Sequence, residues 1–179
     1  MIKKLLKNIS NGYLNRNIKR SIANLNDNRK DFKLPIWKVG CIIDTNLDVD
    51  YFQILELIEK IGLKQKDVKI ISYSDTAFND PFSKMRISKD SINFYGKIVS
   101  ADANEFISYD YDLLINYFGD NEILTLISSK TNSNFRVGYS ESNKNINDIM
   151  FSNFFNNFEK FSNELIKYLK FLKWKLLEI

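Results

Sequence analysis

The sequence predicts an α/β domain: a mostly parallel sheet of about five strands, with helices on both faces. Three observations lead there. Short apolar runs alternate with amphipathic stretches of about ten residues, the order that builds strand–helix–strand units. Two such units are visible, over residues 36–73 and 112–139. Their strands read as nearly continuous apolar runs, as strands buried on both faces do. The 179 residues suffice for one such domain, which buries roughly 70% of its unfolded surface. The expected architecture is a Rossmann-like three-layer sandwich with right-handed crossovers. Residues 1–34 read as a basic helical arm and linker, and residues 35–179 as a single domain that includes a C-terminal helix.

The elements follow in order. Ile2, Leu5, Leu6 and Ile9 form one helical stripe, and Ser10-Asn11-Gly12 weakens it. A second stripe, Leu14, Ile18, Ile22 and Leu25, is out of phase with the first, which predicts a kinked helix or two short ones. Residues 26–35 read as a polar linker ending at Pro35, and Ile36 to Ile43 as a buried strand. After a loop over Asp44 to Asp48, Asp50 starts a helix: Gln53 completes a capping box, and Val49 and Ile54 stand where a hydrophobic staple needs them. Its apolar face is Ile54, Leu55, Ile58 and Ile61, and Gly62 is the natural stop.

Val68 to Tyr73 is the next strand. Residues 74–91 look irregular, with a turn signal at Asn79-Asp80-Pro81. Ile92 to Val99 looks strand-like, and Asp102 with Glu105 suggests a short helix through Ile107. Asp112 to Tyr117 is a strand, Gly119-Asp120 opens a helix carrying Ile123, Leu124 and Ile127, and Phe135 to Tyr139 is a strand. Asp148 to Phe151 reads as a last short strand. The final helix sets Phe154, Phe158, Phe161, Leu165, Leu169 and Leu172 on one stripe, with lysines and asparagines opposite.

Composition excludes several chemistries. Histidine is absent and Cys41 is the single cysteine, so there is no internal disulfide, no Cys/His zinc site and no histidine-dependent triad. No metal or cofactor is implied, and no catalytic residue stands out. No apolar run approaches the ~18 residues of a membrane span, and Lys7 and Asn8 interrupt the N-terminal apolar stretch before it reaches signal-peptide length. The expected location is the cytoplasm.

The net charge of +4 is unevenly placed. Residues 1–34 carry nine basic and two acidic side chains, while the remainder carries 17 basic and 20 acidic ones. The basic character therefore belongs to the arm. Lys3, Lys4, Lys7, Arg16, Lys19 and Arg20, followed by Arg29, Lys30 and Lys33, are placed to contact RNA phosphates or a ribosome. They suit a protein partner as well, and less readily an anionic membrane into which Leu5, Leu6 and Ile9 would insert. The plainest alternative is an arm docked on its own domain. On the last helix, Phe171 and Trp174 lie together on an otherwise polar face. The N-terminal helix, or a second copy of the chain, is expected to cover them.

The runner-up function is a small-ligand binder or transferase-like enzyme. Open parallel sheets bind ligands beyond the carboxyl ends of their strands. Here those ends carry Asp44, Asn46, Ser74, Asn116, Ser140 and Glu141. No glycine-rich phosphate loop accompanies them, and Asp44 to Asp48 puts carboxylates where a phosphate would sit. That stretch also fails as a calcium loop, with Val49 at the glycine position and Leu55 at the glutamate position. The pairs Asp48/Asp50 and Asp110/Asp112 are too short a pattern to mark a metal site.

Three stretches support a resemblance: Phe94-Tyr95-Gly96-Lys97, Tyr111-Asp112-Leu113-Leu114-Ile115-Asn116-Tyr117 and Phe135-Arg136-Val137-Gly138-Tyr139. With the plan of basic helix, α/β core and C-terminal helix, the chain resembles a small family of unknown function common in Bacteroidota. The resemblance covers most of the chain in layout and only these stretches in residues. It implies the fold, and no activity, cofactor or catalytic residue comes with it. A fainter likeness to one half of two-domain glycosyltransferases rests on the Asp-Leu-Leu-Ile and Arg-Val-Gly strands. It lacks the half that would bind a nucleotide-sugar, so it reflects shared fold physics. The leading expectation is a non-catalytic adaptor that meets its partner through the basic arm.

Overall fold

A computed structural model describes residues 2–30, 35–47, 49–75, 85–139, 141–151 and 157–177, with side chains as far as 173. The elements are α1 (Ile2–Asp27), β1 (Val39–Asp44), α2 (Tyr51–Lys60), β2 (Val68–Tyr73), β3 (Met85–Ile87), α3 (Ala101–Ile107), β4 (Asp110–Tyr117), α4 (Glu122–Lys130), β5 (Asn132–Tyr139), β6 (Ile149–Phe151) and α5 (Phe158–Leu177). Six strands, all parallel, lie in the order β3-β2-β1-β4-β5-β6. This is the doubly wound order, whose direction reverses between β1 and β4.

Strand alternation divides the core. Val39, Cys41, Ile43, Leu113, Ile115, Phe135 and Val137 meet α2 and α5 on one face. Ile42 and Leu114 face the other way, toward Phe106 of α3 and Leu124 and Ile127 of α4, with Ile22 and Leu25 of α1 behind them. The helix starts and stops follow the local chemistry. Asp50 Oδ1 accepts from Gln53 N at 2.8 Å while Gln53 Oε1 accepts from Asp50 N at 2.9 Å. Gly62, at φ 88°, ends α2, with Gly62 N bonded to Glu59 O and Leu63 N to Ile58 O, the reciprocal pair of a Schellman stop.

Several sequence expectations are corrected. The parallel sheet of about five strands is borne out with six among the described residues, but β3 lies within the stretch read as irregular and stands in for the strand expected over Ile92 to Val99; three residues, Met-Arg-Ile, are too few to show a period. The Asn79-Asp80-Pro81 turn, Asp31 to Leu34 and Phe154 lie outside the described residues. Ile92 to Val99 is a tight hairpin turn with a single antiparallel bridge, Ile92–Ile98. Asn93 Oδ1 accepts from Tyr95 N and Lys97 N, both at 3.0 Å, which curls the chain instead of extending it.

The N-terminal helix is one piece. Ser10-Asn11-Gly12 does not break it, because each residue still donates its helical N–H. The ~1 kcal/mol cost of glycine does not stop a helix already nucleated further along. At 100° per residue the two stripes stand roughly 150° apart on this single rod. The second stripe docks: Ile18 and Ser21 are buried, Leu14, Ile22 and Leu25 half-buried. The Phe94–Lys97 turn clamps the middle of the rod. Asn17 Nδ2 donates to Tyr95 O at 3.0 Å and Gly96 O at 2.9 Å. Gly96 has φ 69°, and a Cβ there would lie 2.7 Å from the Leu14 backbone.

Two predictions follow from this packing. Gly96→Ala forces both a left-handed conformation and a backbone clash, so urea melts should show a loss of about 2 kcal/mol. Burial raises the Cys41 thiol above its ordinary value of 9.0, and burial likewise raises the Tyr73 and Tyr111 phenols. An acid raised in the folded state favours folding fully below its ordinary value, and that stability drains as pH climbs toward the folded value. Unfolding free energy should therefore fall by on the order of 2 kcal/mol between about pH 8 and pH 10.5 through the thiol alone. Cys41→Ala should flatten that slope.

Candidate functional site

The residues singled out in the sequence fall in three places. The first is the strand-end rim. Asp44, half-buried at the end of β1, accepts from Asn46 N at 3.0 Å and Asn46 Nδ2 at 2.8 Å, so the two form a closed turn. Ser74 follows β2, its N–H bonded to Ile87 O at 3.1 Å. Lys89, then Tyr73, hold the neighbouring Asp75 below its ordinary range. Glu141 sets its carboxylate beside Gly119. Ser140 lies outside the described residues.

Asn116 is fully buried at the far end of β4. Its Nδ2 donates to Asn147 Oδ1 at 2.7 Å, Asn147 Nδ2 donates to Ser142 Oγ at 2.9 Å, and Ser142 Oγ donates to Tyr139 O at 2.6 Å. This chain of amides and hydroxyls pins the loop between β5 and β6 across the sheet. Gly138 is part of the arrangement: a Cβ there would overlap the Asn147 carboxamide and lie 2.7 Å from Ser142 Oγ. The rim thus brings Asp44 to Asn46 and Asn116 to Asn147, and it gathers carboxylates. Among the described residues no three Asp, Glu, Cys or His side chains form a metal-holding group.

The Asp-x-Asp pairs hold structure. Asp50 caps α2, and Asp48 lies outside the described residues. Asp112 Oδ2 accepts from Trp37 N at 2.9 Å and Lys38 N at 3.0 Å, and its Oδ1 accepts from Asn134 Nδ2 at 3.0 Å, tying the entry of β1 to β4 and β5.

The second place is the last helix. Phe171 is exposed on α5, and the Trp174 side chain lies outside the described residues. The expectation that α1 covers this pair fails on topology: α1 packs on α4, α5 packs on α2, and the sheet lies between.

The third place is α1. Its first half carries exposed Ile2, Leu5, Leu6, Ile9 and Tyr13 along an arc of ~100°. Tyr13 meets Phe94 and Tyr95, themselves exposed, at ring-centroid distances of 6.2 and 5.6 Å. Lys3, Lys4 and Lys7 stand opposite this stripe, on the meridian that Leu14, Ile18 and Leu25 occupy where the domain lies beneath it. Lys3, Lys4, Lys7, Arg16, Lys19 and Arg20 are all exposed, and among the described residues none joins an ion pair. No described helix is long and apolar enough to cross a membrane.

Sequence reasoning missed the ties that hold α1 in place. Arg29 Nη1 pairs with Asp148 at 2.8 Å, and Asp148 Oδ2 accepts from Arg136 N at 2.7 Å. Arg136 is buried inside β5 and donates to the carbonyls of Ser128 and Thr131, capping the end of α4. An arginine in an otherwise apolar strand was the available signal. Burial lowers its guanidinium to about 10, with Asp148 opposing that shift and Arg29 adding to it.

If the Asn116–Asn147–Ser142 chain holds the β5–β6 loop, Gly138→Ala should cost about 2–3 kcal/mol in chemical denaturation. Asn46→Ala, at an exposed turn, should stay within about 0.5 kcal/mol of the parent.

Residues 11–172 match the model of a family described as Family of unknown function (DUF6913). No curated protein and no solved structure matches the chain. The family match begins within α1, just before the helix reaches the domain.

Proposed function

The chain belongs to that family, and we propose that it is a non-catalytic binding module acting in the cytoplasm, whose free half of α1 seats in an apolar groove of a protein partner. One observation carries the reading: Ile2, Leu5, Leu6 and Ile9 are exposed at spacings i, i+3, i+4 and i+7, the anchor set of helix-in-groove recognition. The domain's contribution is to hold that helix out as a rigid rod. An isolated stretch of this length is a marginal helix in water, so its continuity with the docked half removes part of the ordering cost of binding. Lys3, Lys4 and Lys7, with no acid in α1 before Asp27, fit a groove with an acidic rim.

RNA would engage the lysines and leave the apolar stripe in water, so it accounts for half of the pattern. A bilayer interface would take both. The four anchors, however, span only ~11 Å of helix, short for a helix lying in a membrane plane.

The test compares the full chain with Leu5→Asp/Leu6→Asp by gel filtration of native lysate. Wild type should elute in an assembly larger than a single chain, and nuclease treatment should leave it there. The double variant should elute alone, with stability within about 0.5 kcal/mol of wild type because both side chains are exposed. An assembly that survives the double change, or that nuclease dissolves, refutes the reading. So does sedimentation of the purified chain with anionic vesicles.

A further inference from the structure

A groove of about 630 Å3 runs between the second half of α1 and the turn from α4 into β5. It lies away from both the free stripe and the strand-end rim, at the amino ends of β4 and β5. Its volume is that of a small-molecule site, and its lining is polar and cationic. Arg20, Arg29, Lys30, Lys130 and Arg136 contribute to it, against one carboxylate, Asp148. That carboxylate is already spent: one oxygen accepts from Arg29 and the other from the Arg136 backbone. Among the described residues Lys30 reaches only Asp110, at 3.7 Å. Arg20 and Lys130 have no ion-pair partner among the described residues.

One buried group adds to this charge. Buried charges normally meet an opposite charge. The Arg136 guanidinium is buried and donates to backbone carbonyls, and the carboxylate that acts on it, Asp148, is shared with Arg29, so the two arginines outnumber their counter-charge. Ser133 also lines the groove, but its hydroxyl is sealed from solvent and, among the described residues, has no hydrogen-bond partner, so it offers nothing to a molecule in the groove. Walls rich in asparagine surround these groups. Asn17, Asn28 and Asn134 spend their amide N–H on the protein, and Asn24 and Asn132 have no side-chain bond among the described residues.

We propose that this groove holds a small phosphorylated ligand. Arg20 on α1 and Lys130 on α4 grip the phosphate oxygens. Asn24 and Asn132 take up the polar remainder of the molecule. Phosphate oxygens are the acceptors that match a set of guanidinium and ammonium donors whose one neighbouring carboxylate is already engaged. The lining has too little apolar surface for a hydrophobic ligand. This site stands independently of the helix-in-groove reading, since Leu5 and Leu6 play no part in it.

The probe is inorganic pyrophosphate, titrated into the purified full chain at constant ionic strength set with sodium chloride. Calorimetry and thermal melts follow binding. Wild type should bind saturably, with a melting point that rises with ligand concentration. Arg20→Ala/Lys130→Ala should weaken binding at least about tenfold, with the fold intact because both side chains are exposed. Leu5→Asp/Leu6→Asp should bind pyrophosphate as wild type does. No saturable binding up to about 20 mM, or equal binding by the Arg20/Lys130 variant, overturns the assignment. So does a single-stranded RNA oligomer that binds wild type more tightly than pyrophosphate and is lost in the same variant. That outcome makes the groove part of a nucleic-acid track.

Discussion

The rest of the structure depends on a phase slip inside one rigid helix. A rod of α-helix cannot present two stripes roughly 150° apart to the same surface. Once Asn17 and the Gly96 turn commit the second stripe to the domain, the first must face elsewhere. The slip also explains the lysines. The docked meridian is apolar while the domain lies under it, at Leu14, Ile18 and Leu25, and becomes Lys7, Lys4 and Lys3 where the helix runs past the domain. Water on that side is what the sequence is written for. The opposite side, with Ile2, Leu5, Leu6 and Ile9, is not written for water.

The doubly wound sheet puts its own constraint on chemistry. Ligands in this architecture usually gather where strand order reverses, between β1 and β4. Here that end is acidic, and its most deeply placed amide, Asn116, spends its Nδ2 on Asn147, while its buried Oδ1 has no partner among the described residues. The positive potential lies at the opposite end of the sheet, where α4 runs into β5. Arg136 sets it there by capping α4 from within the strand. A buried arginine answering helix carbonyls is a structural solution with an electrostatic by-product: the carbonyls are satisfied, and Asp148 alone answers both Arg136 and Arg29 among the described residues.

Much of the fold was legible because local rules and tertiary packing agree. The Asp50–Gln53 capping box, the Gly62 stop, the buried strands β1, β2, β4 and β5, and the apolar stripe of α5 are written in residues a few positions apart. What stayed hidden depends on distant partners. β3 is a strand because β2 lies beside it, and three residues carry no period. Phe94 to Lys97 reads as a strand by its aromatics, yet Asn93 bonds forward and Gly96 turns left-handed to admit the Leu14 backbone. The candidate sites divide the same way. The free stripe was readable as a stripe, while its exposure was not. The groove was invisible, because it joins residues 17–30 to residues 129–148 and forms only once α1 has docked.

The two surfaces share a helix, which raises the question of whether they communicate. Coupling requires an element with two arrangements that both sites bias. α1 offers little room for a second one. Its middle is fixed by two hydrogen bonds from the Asn17 side-chain amide and a glycine that fits the Leu14 backbone. Its end is fixed by the Arg29–Asp148 pair. A partner that grips Leu5 and Leu6 pulls on a lever whose fulcrum, the Gly96 turn, lies between the stripe and most of the groove. Anything short of lifting the helix off that turn leaves Arg20, Ser133 and Lys130 where they are. The geometry therefore favours independence between the two proposed sites on their common rod: one carried beyond the domain, the other enclosed where the helix docks.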